Sequence, residues 1–384
     1  MKKNLWILVF IPVFIFCENI SVIGVGRLGL CMALCLEKAG YNILGVDLSE
    51  KYTSILNEKS YESPEPFVTE YLKQSKNFFA TTSLKNALEF SDTYFIFVPT
   101  NKLNGENPYD TRILSDLLAE ISSYNISNKH IIISGTVPPG YITKTAKKIT
   151  QNCSAITYSY NPEFIAQGDI IRGLENPDIV LIGEEDVHFG KNIENIYRRL
   201  CQNSPYYAHM SIESAEITKM ALNCFVTAKI AFANLVSEIA DETEGADKEM
   251  ILFALGKDQR IGSKCIKPGY GFGGPCFPRD NRALSMYASS IGINPCIFNT
   301  TDIANDQHAD YLVQKFLNQN LSEYIFDEVN YKPNCPVAII EKSQKLLVAQ
   351  KIAQQGKKVT IRDNENVINE VKKEYGELFN YKVK

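Results

Sequence analysis

The sequence lacks the features of several protein classes. Its 384 residues include no run of five or more lysines and arginines, and the formal net charge is −4. No basic surface is therefore predicted, and we expect no nucleic-acid partner. It also lacks low-complexity segments and repeats of solenoid period, and its composition, 45% hydrophobic and 22% charged, excludes a largely disordered chain. The length predicts two or three globular domains.

The ten cysteines lack the spacing of a disulfide framework. No Cys-x-x-Cys pair is present, so they are interpreted as reduced thiols, most of them small buried apolar residues. This usage is typical of a cytoplasmic protein, which is the expected location. No metal site is predicted.

The first seventeen residues are unusual for a cytoplasmic chain. Lys2 and Lys3 precede an apolar run over residues 5–17, which is shorter than the ~20 apolar residues that span a bilayer. The run has the basic and apolar parts of a secretory signal, but Phe14-Ile15-Phe16 is a poor cleavage site. Residues 1–17 are interpreted as an apolar N-terminal extension, with peripheral membrane attachment and an export signal as the alternatives.

Short β-branched runs alternate with helix-like segments from Asn19 onward. This alternation predicts βαβ units and a parallel sheet. The predicted strands cover residues 20–23, 43–46, 94–98, 131–134, 156–160 and 179–182. An α/β domain with a doubly wound parallel sheet is therefore predicted over residues 18–205.

A helical region without strands is predicted next, over residues 206–305. Its main element is a long helix over residues 211–241, on which Lys219 and Asn223 lie on one face together with Val226 and Ile230. The opposite face is apolar and carries Ile217, Ala221, Cys224, Ala228, Phe232, Leu235 and Ile239. Because both faces hold apolar residues, the helix is predicted to be buried between domains, and Lys219 with it.

A weaker βαβ pattern follows in residues 306–384. It predicts a strand over 324–329, a helix over 343–355 that ends at Gly356, a strand over 358–361, and a last helix over 367–375. A full doubly wound domain needs more strands than these. The pattern therefore predicts a shortened α/β domain.

A glycine motif follows the first predicted strand. Gly24-Val25-Gly26-Arg27-Leu28-Gly29 leads into a helix-like segment, and Asp47 follows the next strand about twenty residues later. Such glycines permit a tight turn, close approach of a pyrophosphate and close helix packing. An acid at Asp47 would accept ribose hydroxyls and repel a 2′-phosphate. The motif predicts a Rossmann-like dinucleotide site that prefers NAD to NADP.

A second glycine-rich segment covers residues 268–280 and contains Cys276. Four glycines within six residues are not typical of a packed core, because glycine buries no side chain. They favour a loop on which a ligand rests closely. A cysteine beside exposed backbone N–H groups, with a lysine within reach, would have a stabilised thiolate and could attack a carbonyl. The alternative is a buried structural thiol on a glycine-rich turn.

Six motifs in collinear order resemble the UDP-glucose 6-dehydrogenase branch of the UDP-glucose/GDP-mannose dehydrogenase family. They are the glycine motif with Asp47, Val98-Pro99-Thr100, Ser134-Gly135-Thr136-Val137-Pro138, Asn161-Pro162-Glu163-Phe164, Lys219 with Asn223, and the segment from Gly273 to Asp280. The resemblance runs from about residue 19 to 293 and continues more faintly to 363. It implies an NAD-binding domain, a central helical dimerisation and catalytic domain, and a UDP-binding domain that is truncated here.

The resemblance implies a four-electron oxidation of a UDP-sugar by two NAD and one water. It assigns Cys276 to a thiohemiacetal and then a thioester, Lys219 and Asn223 to oxyanion stabilisation, and Asp280, Glu163 and Thr136 to water and proton handling. The implied cofactor contacts are Gly24, Val25, Gly26, Arg27, Leu28, Gly29, Asp47, Pro99, Thr100, Thr136 and Arg279. The implied substrate contacts are Glu163, Phe164, Lys219, Asn223, Arg260, Lys267, Phe272, Gly273 and Lys332. Arg260 would reach the neighbouring subunit of a homodimer or larger oligomer.

The chain departs from the family pattern at several positions. Pro275 stands where serine is usual and removes an N–H beside the cysteine. Arg279 replaces a lysine, which keeps the charge but changes the donor geometry. Glu328 occupies an expected glycine position, and Glu341-Lys342 stands where an arginine is expected. The alternatives are therefore a dehydrogenase of another UDP-sugar, such as a UDP-N-acetyl-hexosamine, or a non-catalytic NAD-binding homologue.

Overall fold

A computed structural model describes residues 18–100 and 108–384. The predictions for residues 1–17 lie outside this part of the chain. The strands are β1 (Asn19–Ile23), β2 (Asn42–Val46), β3 (Phe78–Thr81), β4 (Thr93–Ile96), β5 (Ser127–Ile133), β6 (Ser154–Tyr160), β7 (Ile179–Glu184), β8 (Tyr206–Met210), β9 (Tyr324–Asp327), β10 (Val359–Asp363) and β11 (Asn380–Val383).

Fourteen α-helices are found in the described residues. They are α1 (Arg27–Lys38), α2 (Glu50–Asn57), α3 (Val68–Gln74), α4 (Leu84–Phe90), α5 (Arg112–Ser123), α6 (Lys147–Ile149), α7 (Ile170–Glu175), α8 (Val187–Leu200), α9 (Ile212–Asp241), α10 (Lys248–Lys257), α11 (Phe277–Ser290), α12 (Cys296–Leu317), α13 (Gln344–Gln354) and α14 (Glu365–Tyr375). A π-helix covers Ile142–Ala146 and a 3₁₀ turn covers Gly376–Leu378.

The N-terminal strands form one eight-stranded sheet in the order β3-β2-β1-β4-β5-β6-β7-β8. All neighbours are parallel except β6 and β7, which are antiparallel. The predicted doubly wound α/β fold is confirmed. Apolar side chains on both faces of the sheet, such as Phe95 and Ile132 on one and Ile96 and Ile133 on the other, are fully buried under helices. Each such side chain contributes roughly 1.5–3 kcal/mol of burial free energy.

Two strands of this sheet were not predicted, and one of them lies beyond the predicted end of the domain. β3 and β8 are short, and polar or exposed side chains such as His209 and Tyr206 weaken their apolar pattern. β8 pairs with β7 along its whole length. The sheet therefore continues to Met210, five residues past the boundary predicted at residue 205.

The long helix α9 begins after Ser211, whose side chain caps it by accepting a hydrogen bond from the Ser214 N–H at 3.2 Å. Lys219 and Asn223 lie on its buried face, as predicted for the lysine. The opposite, apolar face was also predicted to be buried, but it is partly exposed in the single chain, with Phe232 and Ile239 more than half exposed. Periodicity assigned residues to faces correctly, but it did not determine which face packs against the rest of this chain.

Length and composition alone would also allow α9 to span a membrane. We interpret it as the central helix of the helical region, because α10, α11 and α12 pack against it. Helix α12 runs without a break through the boundary predicted between residues 305 and 306. One continuous helix therefore connects the central region to the C-terminal domain.

The C-terminal domain holds a three-stranded parallel sheet in the order β11-β10-β9. Its last strand, β11, was not predicted, so the domain is less shortened than the sequence pattern indicated. Val359 and Ile361 on β10 are buried together with Leu346 and Ile352 of α13. Glu328, at the expected glycine position, adopts a left-handed φ of 54°, a conformation that costs a non-glycine residue about 1–2 kcal/mol.

Candidate active site

The three glycines of the motif after β1 differ in what surrounds the position that a Cβ would occupy. Gly24 has φ +91°, and a Cβ there would lie 2.6 Å from the carbonyl oxygen of Phe97. A Cβ on Gly29 would lie 2.0 Å from the carbonyl oxygen of Gly24. Gly26 has no atom within 4 Å of its Cβ position. The turn and the helix packing therefore fix the outer two glycines, while the middle one leaves an open surface.

This open surface lies at the N-terminus of α1, where backbone N–H groups are unpaired and attract anions. Asp47 follows β2, is half-buried, and accepts a hydrogen bond from the Ser49 N–H at 3.0 Å. Strands β1 and β4, where the strand order reverses, are neighbours at this edge. An open phosphate-sized surface beside an acid at such a switch point fits the diphosphate and ribose of a dinucleotide.

The other predicted cofactor residues lie on loops at the same edge of the sheet. Thr100 is buried and its hydroxyl donates to the carbonyl oxygen of Thr136 at 2.6 Å. This bond joins the loop after β4 to the loop after β5. Arg27 donates to the Gln167 side chain at 2.6 Å. Val25 is buried, Leu28 is partly buried, and Pro99 is exposed.

A polar cluster lies between α9 and α11. Asp280 is 1% exposed and accepts a hydrogen bond from the Asn223 amide at 2.6 Å and another from the Tyr109 hydroxyl. Both carboxylate oxygens are thus occupied by donors. Asp280 holds the Asn223 side chain in one orientation one helical turn from Lys219.

Lys219 is a buried cation in this cluster, with 8% of its surface exposed. Its ammonium donates to the carbonyl oxygen of Glu163 at 2.5 Å and lies 4.5 Å from the centre of the Phe164 ring. Burial lowers the pKa of Lys219, while the charges of Asp280, Cys276 and Glu163 raise it. A desolvated cation held in place is suited to stabilise a developing oxyanion.

Cys276 stands at the N-cap of α11 and is an exposed residue. An Arg279 guanidinium nitrogen lies 3.9 Å from its sulfur. Desolvation raises the pKa of the Cys276 thiol, although Arg279 and Lys219 act to lower it. The predicted stabilisation of the thiolate is thus supported by Arg279 and Lys219 and opposed by desolvation.

Arg279 contacts the nucleophile candidate rather than the glycine motif. Its guanidinium lies 4.9 Å from the centre of the Tyr109 ring, and its Nε atom is buried without a hydrogen-bond partner within the described residues. The pKa of Arg279 is raised, since the charges of Tyr109, Cys276 and Asp280 together outweigh its burial. The side chain is therefore a fixed positive charge beside the sulfur.

Glu163 lies in the same group of residues, next to the ammonium of Lys219. Burial raises the pKa of Glu163 to about 7, with the Tyr197 hydrogen bond and the charge of Lys219 opposing. At neutral pH this carboxyl is therefore able both to give and to take a proton.

The glycine-rich loop before Cys276 packs against the C-terminal domain. A Cβ on Gly273 would lie 2.1 Å from the carbonyl oxygen of Lys342, and one on Gly274 would lie 2.4 Å from the Tyr331 ring. Phe272 is 3% exposed, and its N–H donates to Asn305 at 2.7 Å. Sequence reasoning expected a ligand against these glycines. On the faces where a Cβ would project, the neighbour is instead the protein's own backbone and ring.

Three predicted substrate residues are basic side chains outside the buried cluster. Arg260 is paired with Asp258 at 2.7 Å on an exposed turn after α10. Lys267 is exposed, and the Lys332 ammonium lies 5.9 Å from the centre of the Tyr331 ring. Among the described residues, no group of three His, Cys, Asp or Glu side chains could hold a metal ion.

Sequence reasoning missed three residues that organise the site. Tyr109 and Tyr197 donate to or contact the carboxyls of Asp280 and Glu163. Glu216, which is fully buried on α9, accepts hydrogen bonds from the N–H groups of Gly140 and Ile142 and so anchors the loop that contains Thr136. No motif marks these residues, and Glu216 lies in a stretch of α9 that also holds Glu213, Thr218 and Lys219, so the sequence gives no signal for it.

Comparisons with known proteins agree with this geometry. The NAD binding domain of the UDP-glucose/GDP-mannose dehydrogenase family matches residues 18–201, and the central domain of that family matches residues 213–307. A putative UDP-glucose 6-dehydrogenase of Bacillus subtilis is 28% identical over 92% of this chain and 83% of its own length. The GDP-mannose 6-dehydrogenase of Pseudomonas aeruginosa is 30% identical over 72% of this chain and 65% of its own length.

Solved structures share the fold along most of the chain. The UDP-glucose dehydrogenase of Pyrobaculum islandicum superposes with a TM-score of 0.86 at 24% identity, covering 97% of this chain and 87% of that one. The UDP-D-ManNAc dehydrogenase of Pyrococcus horikoshii gives 0.76 at 21% identity, covering 90% and 83%. The chain therefore belongs to the UDP-glucose/GDP-mannose dehydrogenase family of NAD-dependent nucleotide-sugar dehydrogenases.

Proposed function

We propose that this protein oxidises the C6 alcohol of UDP-glucose to the carboxylate of UDP-glucuronate. The observation that carries the proposal is the cluster in which Asp280 fixes Asn223, Lys219 is held as a buried cation, and Cys276 stands at the same helix end. A nucleophile, an oxyanion-stabilising cation and a fixed amide are the groups that acyl chemistry at a thiol requires.

The proposed reaction removes two hydrides and adds one water. The alcohol first loses a hydride and a proton and becomes an aldehyde. The Cys276 sulfur then forms a bond to the aldehyde carbon while its S–H proton passes to the former carbonyl oxygen, and the resulting thiohemiacetal loses a second hydride and its hydroxyl proton to become a thioester. Water breaks the carbon–sulfur bond and releases the carboxylate and the thiol. NAD supplies the hydride acceptor when it is bound at the Gly24–Gly29 motif and Asp47.

The remaining residues receive roles that match their surroundings. Lys219 stabilises the negative oxygen of the adducts, and Asn223 assists from the same helix face. Both oxygens of Asp280 already accept hydrogen bonds, so we assign Asp280 to positioning rather than to deprotonation of water. Glu163 handles the proton, since its pKa is raised to about 7 by burial. Thr136, on the loop that Thr100 holds, is assigned to ordering the hydrolytic water.

The same cluster would serve a different nucleotide sugar. A GDP-mannose 6-dehydrogenase and a UDP-D-ManNAc dehydrogenase are similar to this chain to a comparable degree. The choice of sugar and base is therefore decided by the substrate panel described below. A non-catalytic NAD-binding homologue is the third reading, and it is motivated by the small three-stranded C-terminal sheet.

We also propose that the protein forms a homodimer through the central region. The exposed face of α9 carries large apolar side chains, including Phe225, Phe232, Leu235 and Ile239, and Phe253 on α10 is exposed as well. Apolar surfaces of this size are typical of subunit interfaces. Arg260, on its exposed turn, would contact the sugar site of the partner. Sedimentation of wild-type protein and of Phe232→Glu tests this, since the charged variant should be monomeric.

The enzymatic proposal is tested by the yield of NADH per mole of nucleotide sugar. UDP-glucose, UDP-N-acetylmannosamine and GDP-mannose are supplied separately in limiting amount with excess NAD. Two NADH per UDP-glucose, with little from the other sugars, is the expected result. Two NADH from another sugar alone would move the assignment to that sugar. NAD binding without NADH formation from any sugar would favour the non-catalytic homologue.

The role of the thiol is tested in the same assay with Cys276→Ser. The expected result is loss of carboxylate formation, because a hydroxyl does not form the thioester. Cys265→Ser is the matched control, since Cys265 is an exposed cysteine eleven positions earlier on the same connection. Full turnover in Cys276→Ser would refute the covalent mechanism.

A further inference from the structure

Glu163 is connected to two buried side chains that the proposed mechanism leaves unused. Tyr197 on α8 and Asn161 at the end of β6 are each 1% exposed. The Tyr197 hydroxyl lies 2.8 Å from the amide oxygen of Asn161 and also within hydrogen-bond distance of a carboxyl oxygen of Glu163. The three groups form a row, with the phenol in the middle.

The orientation of Asn161 determines which way the hydrogen bonds run. The Asn161 Nδ2 atom donates to the carbonyl oxygen of Leu181 on β7 at 2.9 Å. The amide oxygen therefore faces Tyr197, and it is an acceptor only. In the described residues no donor other than Tyr197 reaches this oxygen. Asn161 thus requires the single hydroxyl proton of Tyr197.

The phenol has only one proton to share between two acceptors. When it donates to Asn161, its oxygen accepts from Glu163, and this is satisfied only if the carboxyl of Glu163 is protonated. When Glu163 is ionised, the hydroxyl rotates to the carboxylate, and the buried oxygen of Asn161 loses its donor. Leaving a buried acceptor unpaired is unfavourable. The row is fully hydrogen-bonded only with a neutral Glu163.

We propose that Asn161 is a positioning residue that competes with Glu163 for the hydroxyl proton of Tyr197 and so favours the neutral acid, and that ionisation of Glu163 rotates the Tyr197 hydroxyl from Asn161 to the carboxylate. No covalent bond other than the O–H of Glu163 breaks, and its proton goes to a substrate oxygen or to water. The proposal rests on the proposed role of Glu163 in proton transfer and extends it to the residues that control that proton.

Other charged and titratable groups also face Glu163. The Lys219 ammonium, on α9, donates to the backbone carbonyl of Glu163 and favours the carboxylate. Cys35 on α1 and Cys201 after α8 lie near enough for its charge to raise the pKa of their thiols. Burial outweighs the favourable groups and raises the pKa of Glu163 to about 7. A neutral Glu163 below that pH is what the hydrogen-bond row requires.

The test is an infrared titration of the Glu163 carboxyl, taken as the difference between each protein and its Glu163→Gln counterpart. Tyr197→Phe removes the donor of the carboxylate, so the apparent pKa should rise by about one pH unit, the value of a hydrogen bond to a charged group. Asn161→Leu removes the competing acceptor and frees Tyr197 to donate, so the apparent pKa should fall. Tyr158→Phe, which removes a buried phenol bonded to Thr150, should leave it unchanged.

Opposite shifts in the Tyr197 and Asn161 variants support the proposal. An unchanged or higher pKa in Asn161→Leu would overturn it, because a merely structural amide would not compete for the proton. If Asn161→Leu does not fold, the carbonyl band of protonated Glu163 decides. The frequency of that band must change in Tyr197→Phe, because the proton of the Glu163 carboxyl loses its acceptor. An unchanged frequency would refute the proposed hydrogen-bond row.

The titration needs no substrate. It therefore gives its answer whether or not UDP-glucose is oxidised, and failure of the proposed activity is separable from failure of this proposal.

Discussion

Replacing Asp280 with asparagine tests the centre of the proposed site with the smallest change in shape. In the structure the carboxylate accepts one hydrogen bond from Asn223 at 2.6 Å and another from Tyr109. An amide has one oxygen and one NH₂ group. It accepts from one of these donors and presents its own N–H groups to the other. One buried donor therefore loses its acceptor, and Lys219 loses a negative charge that favours its ammonium form.

The size of the effect follows from these contacts. A hydrogen bond to a charged group contributes about 1.5–3 kcal/mol, so we expect Asp280→Asn to lower the free energy of unfolding by about that amount. If Asn223 and Lys219 act on the transition state, the same disturbance should lower kcat by about tenfold to a hundredfold. The pKa of Lys219 should fall further, so the loss of activity should grow as pH rises.

Urea unfolding and steady-state NADH formation measure the two effects. Asp302→Asn is the matched control. Asp302 on α12 also accepts from two side chains of α11, Asn281 at 3.0 Å and Arg282 at 3.5 Å, but it belongs to a different contact. That variant should lose stability while kcat changes by less than about twofold. An Asp280→Asn protein with wild-type kcat, or equal kcat losses in both variants, would refute the reasoning.

Three further outcomes are expected. Burial raises the pKa of Glu216 from 4.5 to about 7, so the folded state binds this proton more tightly than the unfolded state. The free energy of unfolding should therefore fall by roughly 3 kcal/mol as pH rises from about 4.5 through 7. Urea unfolding at several pH values should show this loss in wild-type protein and not in Glu216→Gln, and parallel curves would contradict it. Gly273→Ala should lower the midpoint of thermal unfolding, because the new Cβ would lie 2.1 Å from the Lys342 carbonyl oxygen. The control Gly269→Ala places its Cβ where no atom lies within 4 Å and should have little effect. Equal midpoints in the two variants would mean that the loop shifts to accommodate the added Cβ. Asp47→Asn should raise the ratio of kcat/KM for NADP to kcat/KM for NAD by on the order of tenfold. Glu50→Gln is the control and should leave this ratio unchanged. An unchanged ratio in Asp47→Asn would show that Asp47 does not discriminate between the cofactors.

The parts of the fold that were predicted have strong local patterns. Strands such as β1 and β5 are β-branched runs buried on both faces, and the glycine motif has fixed spacing. β8 was missed because a parallel edge strand with one exposed face carries few apolar residues. Its place is set by pairing with β7, about twenty-five residues earlier. Long-range pairing of that kind is not contained in local periodicity.

The helical region shows a different limit. The spacing on α9 placed Lys219 and Asn223 on one face, and both are buried there. The same spacing could not determine that the face with these two polar residues is the one that packs against the rest of this chain. That outcome depends on Asp280 and Tyr109, which reach the helix from other parts of the chain. A buried polar face is stable only when its partners are present, and those partners are distant in sequence.

The glycine content of the loop before Cys276 correctly predicted that another group approaches its backbone closely, but it did not identify that group. Glycine content indicates that something approaches the backbone. It does not distinguish a ligand from the Lys342 carbonyl oxygen or the Tyr331 ring, which lie nearly sixty to seventy residues later in the chain. The glycines thus connect the catalytic loop to the C-terminal domain. A change in that domain should therefore move the segment that ends at Cys276.

The pKa of the Cys276 thiol depends on desolvation as well as on nearby charges. Arg279 and Lys219 both favour the thiolate of Cys276, and sequence reasoning weighed a nearby lysine and exposed backbone N–H groups but not desolvation. In the structure desolvation is the largest influence, and it raises the pKa of Cys276 while it lowers that of Lys219. Desolvation thus opposes the charged form of each group, while the charges around it favour that form. The same desolvation makes Lys219 more effective once negative charge develops on a substrate oxygen, because the low dielectric that disfavours isolated charges strengthens the interaction between opposite ones.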